Sequence, residues 1–291
     1  MAIVWGIPYL LIKVAVGAFT PATLVFVRTA LAALMLLPFT VALGQLGPVL
    51  RRWRIVLIFA VVEIAGPWFL LSDAERRLSS SLSGLLIAAV PLVGALLAWL
   101  TRSDERIGGR RLIGLFVGLL GVAILVGFDV GGGDLRAAGE IALVVLGYAT
   151  GPLIIARKLK DLPSIGVVTA SLLFTAVVYA WLGLTQLPAT LPPANALAAT
   201  VALAAVCTAL AFPLFFALIA EVGPVRATVI TYVNPAVAVL AGVVLLGEKF
   251  RVSTGAGFVL IIAGSFLATR RSRAITPLPI AQLEPTEPAG V

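Results

Sequence analysis

Histidine is absent from the 291 residues, and cysteine occurs once, at Cys207 inside an apolar run. The first absence removes Ser–His and Cys–His nucleophile pairs, HExxH zinc sites and histidine proton relays. The second excludes a disulfide within one chain and a cysteine metal cluster. Charge is scarce too: 12% of residues are charged, where a soluble domain has about 25%, so most of the chain cannot be soluble surface. No strand is expected, so a Walker loop has nothing to follow, and ATP hydrolysis by this chain is not expected. No catalytic residue, metal or cofactor is assigned. No basic residue precedes the first apolar stretch and no small-residue cleavage site follows it, so no signal peptide is expected. The first helix looks clipped, and a start a few residues upstream would complete it.

What the chain has is apolar length. Hydrophobic residues make up 61% of it, and the mean hydropathy is +1.13. A bilayer core needs about 20 apolar residues per helix. Ten such runs are expected, at 2–18, 22–43, 55–72, 80–100, 110–128, 139–156, 165–186, 196–219, 226–246 and 253–269. The lipid bilayer is therefore the first partner. The net charge of +8 does not point to nucleic acid, because the basic residues sit at helix ends. With the N-terminus in the cytoplasm, 14 Lys and Arg fall on the cytoplasmic side and 5 outside, while Lys13 and Arg28 lie inside spans. Both termini are thus expected in the cytoplasm of a cell-membrane protein. The tail 270–291 is basic and then proline-rich, and reads as disordered.

The apolar text is written twice. Val225 to Ala268 carries Pro235 inside one helix, Gly247-Glu248-Lys249 in a turn, and Gly255, Gly257 and Gly264 in the next helix. Ser81 to Leu125 repeats this with Pro91, Asp104-Glu105-Arg106, and Gly114, Gly118 and Gly121. Pro91 and Pro235 are 144 apart; Glu105 and Glu248, Gly114 and Gly257, and Gly121 and Gly264 are 143 apart. Pro8 and Pro152, Pro21 and Pro163, Pro67 and Pro213, and Lys13 and Arg157 keep the offset within two residues. Each half, 1–128 and 139–269, then holds five helices. Five is odd, so the second half must enter the membrane upside down, the inverted duplication of many secondary transporters. The expected fold is all-α and integral to the membrane: ten transmembrane helices as two inverted five-helix repeats.

These residues resemble the drug/metabolite transporter superfamily, specifically the family with two EamA domains. The matching features are Trp5-Gly6, Arg28, Pro91, Pro235 and, most specific, LGEKFRVSTGAGFVLIIAGSFLA from Leu246 to Ala268. The resemblance runs from Trp5 to about Thr269. It implies a ten-helix bundle around a central cavity, with helices five and ten peripheral, where a homodimer could form. It also implies movement of small organic solutes without ATP. The serine run Ser79-Ser80-Ser81 with Ser83, opening helix four, departs from the family pattern.

Candidate solute-cavity residues follow from polar groups inside apolar spans. Glu63 lies near the middle of its span, where a charge costs about 2.5–3.5 kcal/mol on insertion scales. It reads either as a substrate or proton site or as a structural pair with Lys13 or Arg28. Those two cations lie about 8–9 Å from the outer ends of their helices, and either snorkel outward or face a cavity. Trp5, Tyr9 and Lys13 share a helix face by their spacing of four; for Trp5 an interfacial belt is the competing reading. Thr228, Thr231, Tyr232 and Pro235 share a face in helix nine, next to Asn234. Trp68 and Tyr148 complete the cavity set. Pro8, Pro67, Pro91, Pro152, Pro213 and Pro235 are expected helix breaks, which transporters place near bound solute. Gly114 and Gly118 form a GxxxG pair that suits packing within the monomer. Gly131-Gly132-Gly133-Asp134 resembles the GxGD string of intramembrane aspartyl proteases, but no aspartate inside a span exists to partner it. The expected activity is secondary transport of small organic solutes such as metabolites, amino acids or drug-like amphiphiles, probed first as export with proton coupling. The alternatives are a non-transporting sensor or partner subunit and, last, an intramembrane enzyme.

Overall fold

The structure is a computed structural model that describes residues 1–100, 109–129, 134–222 and 230–269. Among the described residues there is no strand. The helices are α1 (Ala2–Ala15), α2 (Pro21–Ala42), α3 (Trp53–Glu75), α4 (Ser80–Leu97), α5 (Gly109–Ile124), α6 (Leu135–Leu159), α7 (Ser164–Thr185), α8 (Ala194–Leu218), α9 (Ile230–Leu246) and α10 (Val252–Thr269). Six of them, α2, α3, α4, α6, α7 and α8, are long and apolar enough to cross a membrane, and the other four contain shorter apolar helices. The turn at Asp104-Glu105-Arg106, the glycines 131–133, Thr228 and the tail 270–291 lie outside the described residues.

Side-chain packing fixes the relative direction of two helix pairs. Thr40 of α2 hydrogen-bonds Thr169 of α7 at 2.9 Å, while Thr23 at the other end of α2 donates to the Gly183 carbonyl at 3.1 Å. Residue numbers rise along one helix as they fall along the other, so α2 and α7 run antiparallel. The same holds for α5 against α10. A Cβ on Gly114 would lie 2.5 Å from the Ala268 nitrogen, and one on Gly121 would lie 2.7 Å from the Gly257 carbonyl. Each of these helices thus opposes its own copy. The glycine faces let the two backbones touch, which is what small residues do between membrane helices. The Gly114–Gly118 pair packs inside the monomer, on Gly264, Ala268 and Leu92.

Two features of the helices were not legible as spacing. In α3 the segment Ala60–Ala65 is a π-helix, and in α8 the segment Ala205–Leu210 is another. They stand 145 residues apart, so the irregularity is duplicated with the sequence. A π-turn inserts one extra residue into an α-helix and is frequent at functional sites. Pro67 and Pro213 follow these turns closely. Of the other expected breaks, α1 is interrupted at Ile7 just before Pro8, and α4 at Ala88–Ala89 just before Pro91. Beyond Pro152 the α-helix gives way to another π-helical segment, Ile155–Leu159, whereas the expected break at Pro235 is corrected, since that proline sits inside continuous helix. Proline deletes one donor but leaves the rest of the ladder able to run on.

Candidate solute site

The first π-turn seats Glu63. Gly147 and Gly151, one turn apart on α6, leave room for it. A Cβ on Gly151 would collide with the Glu63 carboxylate, and one on Gly147 would lie 2.8 Å from Pro67 Cγ. Glu63 therefore faces α6 and not lipid. Its Oε2 is buried and has no hydrogen-bond partner, and it makes no ion pair with Lys13 or Arg28. Ser171 on α7, the helix packed on this turn, also has an unpartnered buried hydroxyl. The Ala65 carbonyl does find a partner, accepting from the Tyr179 hydroxyl at 3.1 Å, while the Tyr179 ring stacks on Phe69 at 5.7 Å.

The second π-turn seats Thr208. Its hydroxyl donates to the Leu203 carbonyl at 2.8 Å and accepts from Arg28 Nε at 3.2 Å. The Arg28 guanidinium lies over the Trp68 ring, 3.6 Å from its centroid. A desolvated cation–π contact of this kind is worth about 2 kcal/mol. Tyr148 of α6 packs against the same buried cluster that holds Trp68. Arg28, Trp68 and Tyr148 thus bring α2, α3 and α6 together, with Thr208 of α8. Arg28 is buried, so it does not snorkel.

One residue in this group has no counterpart in the sequence reading. Glu75 ends α3 fully buried, and neither carboxylate oxygen has a hydrogen-bond partner. Lys13 Nζ donates to the carbonyls of Glu75 at 2.5 Å and Leu78 at 2.7 Å. A cation at a helix C-terminus satisfies its orphan carbonyls and complements its dipole. Tyr9, one turn before Lys13, is buried, in a cluster against which Tyr148 packs. The expected span 55–72 stopped short of Glu75 because Asp73 to Arg77 reads as a polar loop. The available signal was the spacing of Trp68, Ser72 and Glu75, which keeps one face.

The end of the bundle beyond Glu75 is closed by polar contacts. Gly247, at φ 66, ends α9, and the Glu248 N–H then reaches back to the Gly242 carbonyl at 3.1 Å. This turn delivers the Glu248 carboxylate to the start of α4. There it accepts from Ser80 N at 2.7 Å, Ser81 N at 2.9 Å and both serine hydroxyls. Ser79 caps the next donor, Leu82 N, at 3.1 Å. The serine run that departs from the family pattern is therefore a helix cap shared between the two halves. Beside it, Asp73 and Arg77 of the α3 end meet Asp134, Arg136 and Glu140. Arg77 pairs with Asp134 at 2.9 Å and with Glu140, and Arg136 pairs with Asp73 at 3.1 Å. Asp134 also caps α6, accepting from Ala137 N.

The remaining candidates lie elsewhere. Trp5 sits at the opposite end of α1 from Lys13, against Phe215 at 4.6 Å and Phe212 at 5.8 Å of α8. Asn234 lies where α9 crosses α1: a Cβ on Gly6 would be 3.0 Å from its carbonyl. Thr231 and Tyr232 are on α9, with side chains outside what is described. Among the described residues no group of His, Cys, Asp and Glu could hold a metal ion.

Apolar helices packed in antiparallel pairs, with a carboxylate, a guanidinium and aromatic rings turned inward, are the build of a membrane protein with a polar interior. The EamA-like transporter family model matches residues 1–127 and 137–270, so the chain belongs to the EamA-like transporter family. It is an integral membrane protein. The uncharacterized transporter YvbV of Bacillus subtilis is 24% identical over 94% of this chain and 90% of its own length. The uncharacterized inner membrane transporter YedA of Escherichia coli K12 is 28% identical over 84% of this chain and 80% of its own. A solved crystal structure of a protein at 21% identity matches with a TM-score of 0.65, over 92% of this chain and 94% of that one, and shows the same fold.

Proposed function

We propose that the protein is a secondary transporter of small organic solutes, spanning the inner membrane ten times with both termini in the cytoplasm. Its two inverted halves, 1–128 and 139–269, alternate access to a site lined by Tyr9, Arg28, Glu63, Trp68 and Tyr148. The direction assigned is export, with a proton exchanged at Glu63. The observation that carries this reading is the Glu63 carboxylate on a π-turn in the middle of α3, turned to α6 with an unpartnered buried oxygen. A carboxylate left without a protein partner deep in a membrane protein marks an ion or substrate pathway. Arg28, held flat on Trp68, keeps its charge at any working pH and offers its free edge to an anionic or amphiphilic solute. Inner-membrane placement is supported by the name of YedA, and the cytoplasmic termini by the excess of basic residues on one side. A homodimer would use the outward residues of α5, such as Leu112, Phe116 and Leu119, since its glycine face is filled by α10.

The test uses proteoliposomes with an internal pH dye and a panel of amino acids and aromatic amines. The native protein is expected to couple flux of at least one solute to proton movement. Glu63→Gln is expected to keep solute exchange but to lose its pH dependence between about pH 6 and 8. Flux of the variant that tracks pH as the native protein does would remove the proton role.

A further inference from the structure

Glu63 and Thr208 hold the same place in the two π-turns, 145 residues apart. Arg28, which bonds Thr208, has its counterpart at Ser171, 143 residues on. Packing fixes that second offset independently. Thr40 of α2 bonds Thr169 of α7, and the counterparts of these two positions also touch: a Cβ on Gly183 would lie 2.5 Å from Phe26 Cβ. Thr40 and Gly183 are 143 apart, as are Phe26 and Thr169. The contact from Arg28 to Thr208 therefore has a counterpart from Ser171 to Glu63. In the first, the long side chain comes from the helix packed on the turn; in the second, it comes from the turn itself.

The second contact lies between two groups without partners. Glu63 Oε2 and Ser171 Oγ are buried, and neither has a hydrogen-bond partner. The Ser171 side chain is fully buried. Its neighbours on α7 behave otherwise. Thr169 donates to the Ile165 carbonyl at 2.9 Å and Thr175 to the Ser171 carbonyl at 2.8 Å, the usual refuge of a hydroxyl inside a helix. Ser171 also lies on the face of α7 that packs on α3. Val167 and Ala170 pack with Val56 and Phe59, and Tyr179, about two turns beyond Ser171, reaches the Ala65 carbonyl. Residues of α3 before and after Glu63 are thus touched by residues of α7 before and after Ser171. A Glu carboxylate oxygen stands as many bonds from its Cα as the Nε of Arg, so Glu63 has the reach that Arg28 uses.

We infer that Ser171 is the positioning partner of Glu63, and that the carboxylate has two seats: one against Gly151 of α6, and one against Ser171 of α7, reached by rotation of its side chain. This rests on the proton-exchange reading of Glu63 above. The Ser171 hydroxyl donates to the ionised carboxylate and accepts from the protonated one, so one residue serves the group on both sides of a proton exchange. The other titratable groups around the turn are engaged elsewhere. The Tyr179 hydroxyl is committed to the Ala65 carbonyl, Arg28 to Thr208 and the Trp68 ring, and Tyr148 of α6 packs on the cluster of Ile64 and Trp68. The swing carries the proton-bearing group from α6 to α7 with no helix displaced.

The test combines solute flux with infrared difference spectroscopy on the full chain in proteoliposomes. Ser171→Ala is expected to move the midpoint of the pH profile of solute exchange by about one unit, a tenfold change in proton concentration. Ser171→Thr, which keeps the hydroxyl, should restore it, which a purely structural role of the side chain would not require. Added to Glu63→Gln, Ser171→Ala should change nothing further. Acid-minus-base spectra should show a carboxyl C=O band that vanishes in Glu63→Gln and changes frequency in Ser171→Ala but not in Ser171→Thr. A Glu63 band indifferent to Ser171→Ala would overturn the pairing whatever the flux does. So would an equal effect of Ser171→Ala on flux with and without Glu63→Gln. A pH profile that ignores Glu63→Gln would instead remove the proton role, and the band alone would then decide the pairing: its response to Ser171→Ala upholds it.

Discussion

Single residues set how the closed end responds to acid. Burial works to raise the Glu248 carboxyl, but hydrogen bonds from Ser81 and Ser80 outweigh it and hold the group below its ordinary value of 4.5. A lowered folded-state value means stability that is present above the unfolded value and lost as pH falls through the folded one. The native protein in detergent is expected to lose melting temperature as pH drops below about 4.5, and Glu248→Gln to lose less over that window. At pH 7 the variant should be less stable by roughly 1–2 kcal/mol, a figure discounted because Glu248 is partly exposed. Equal acid sensitivity in the two proteins would contradict the cap. At this scale the sequence was partly readable. Lys13, Arg28 and Glu63 stood out because a charge inside a long apolar run is conspicuous. Glu75 did not, because its burial is made by Lys13, 62 residues away, in a stretch whose local composition is that of a loop.

Elements were the most legible level, since each helix needs only its own apolar length. The expected runs match the helices within a few residues, and the glycines of α5 and α10 meet as their pattern implies. What spacing could not reveal was backbone irregularity. A π-turn leaves no periodic signature, and a proline interrupts or passes according to what surrounds it, as Pro91 and Pro235 do in opposite ways. The tightest joint between the halves is the α5–α10 seam, where a Cβ on Gly264 would press on Gly118 backbone and on the Gly114 carbonyl at 2.6 Å. Gly264→Val is expected to destabilise the protein by about 1–3 kcal/mol, the usual cost of overpacking, and to lower its melting temperature by several degrees. Gly109→Ala, with open space around the added carbon, should leave the melting temperature unchanged.

For the whole molecule, the inverted repeat is proposed from arithmetic on the sequence, and what the packing adds is that α2 runs antiparallel to α7 and α5 to α10. Which side faces the cytoplasm rests on the 14 against 5 distribution of basic residues. Protease digestion of intact and inverted vesicles carrying a tag on each end should remove both tags from the same side; removal from opposite sides would require an odd number of crossings. The duplicated π-turns also keep distant layers independent. Each turn takes up its supernumerary residue, about 100° of helix rotation, within itself. Deleting Val62 should therefore return Ala60–Ala65 to regular α-helix and remove the seat of Glu63, while Trp68 stays by Arg28 and Glu75 by Lys13. Chemistry at mid-depth can thus be altered with the rim of α3 left as it is.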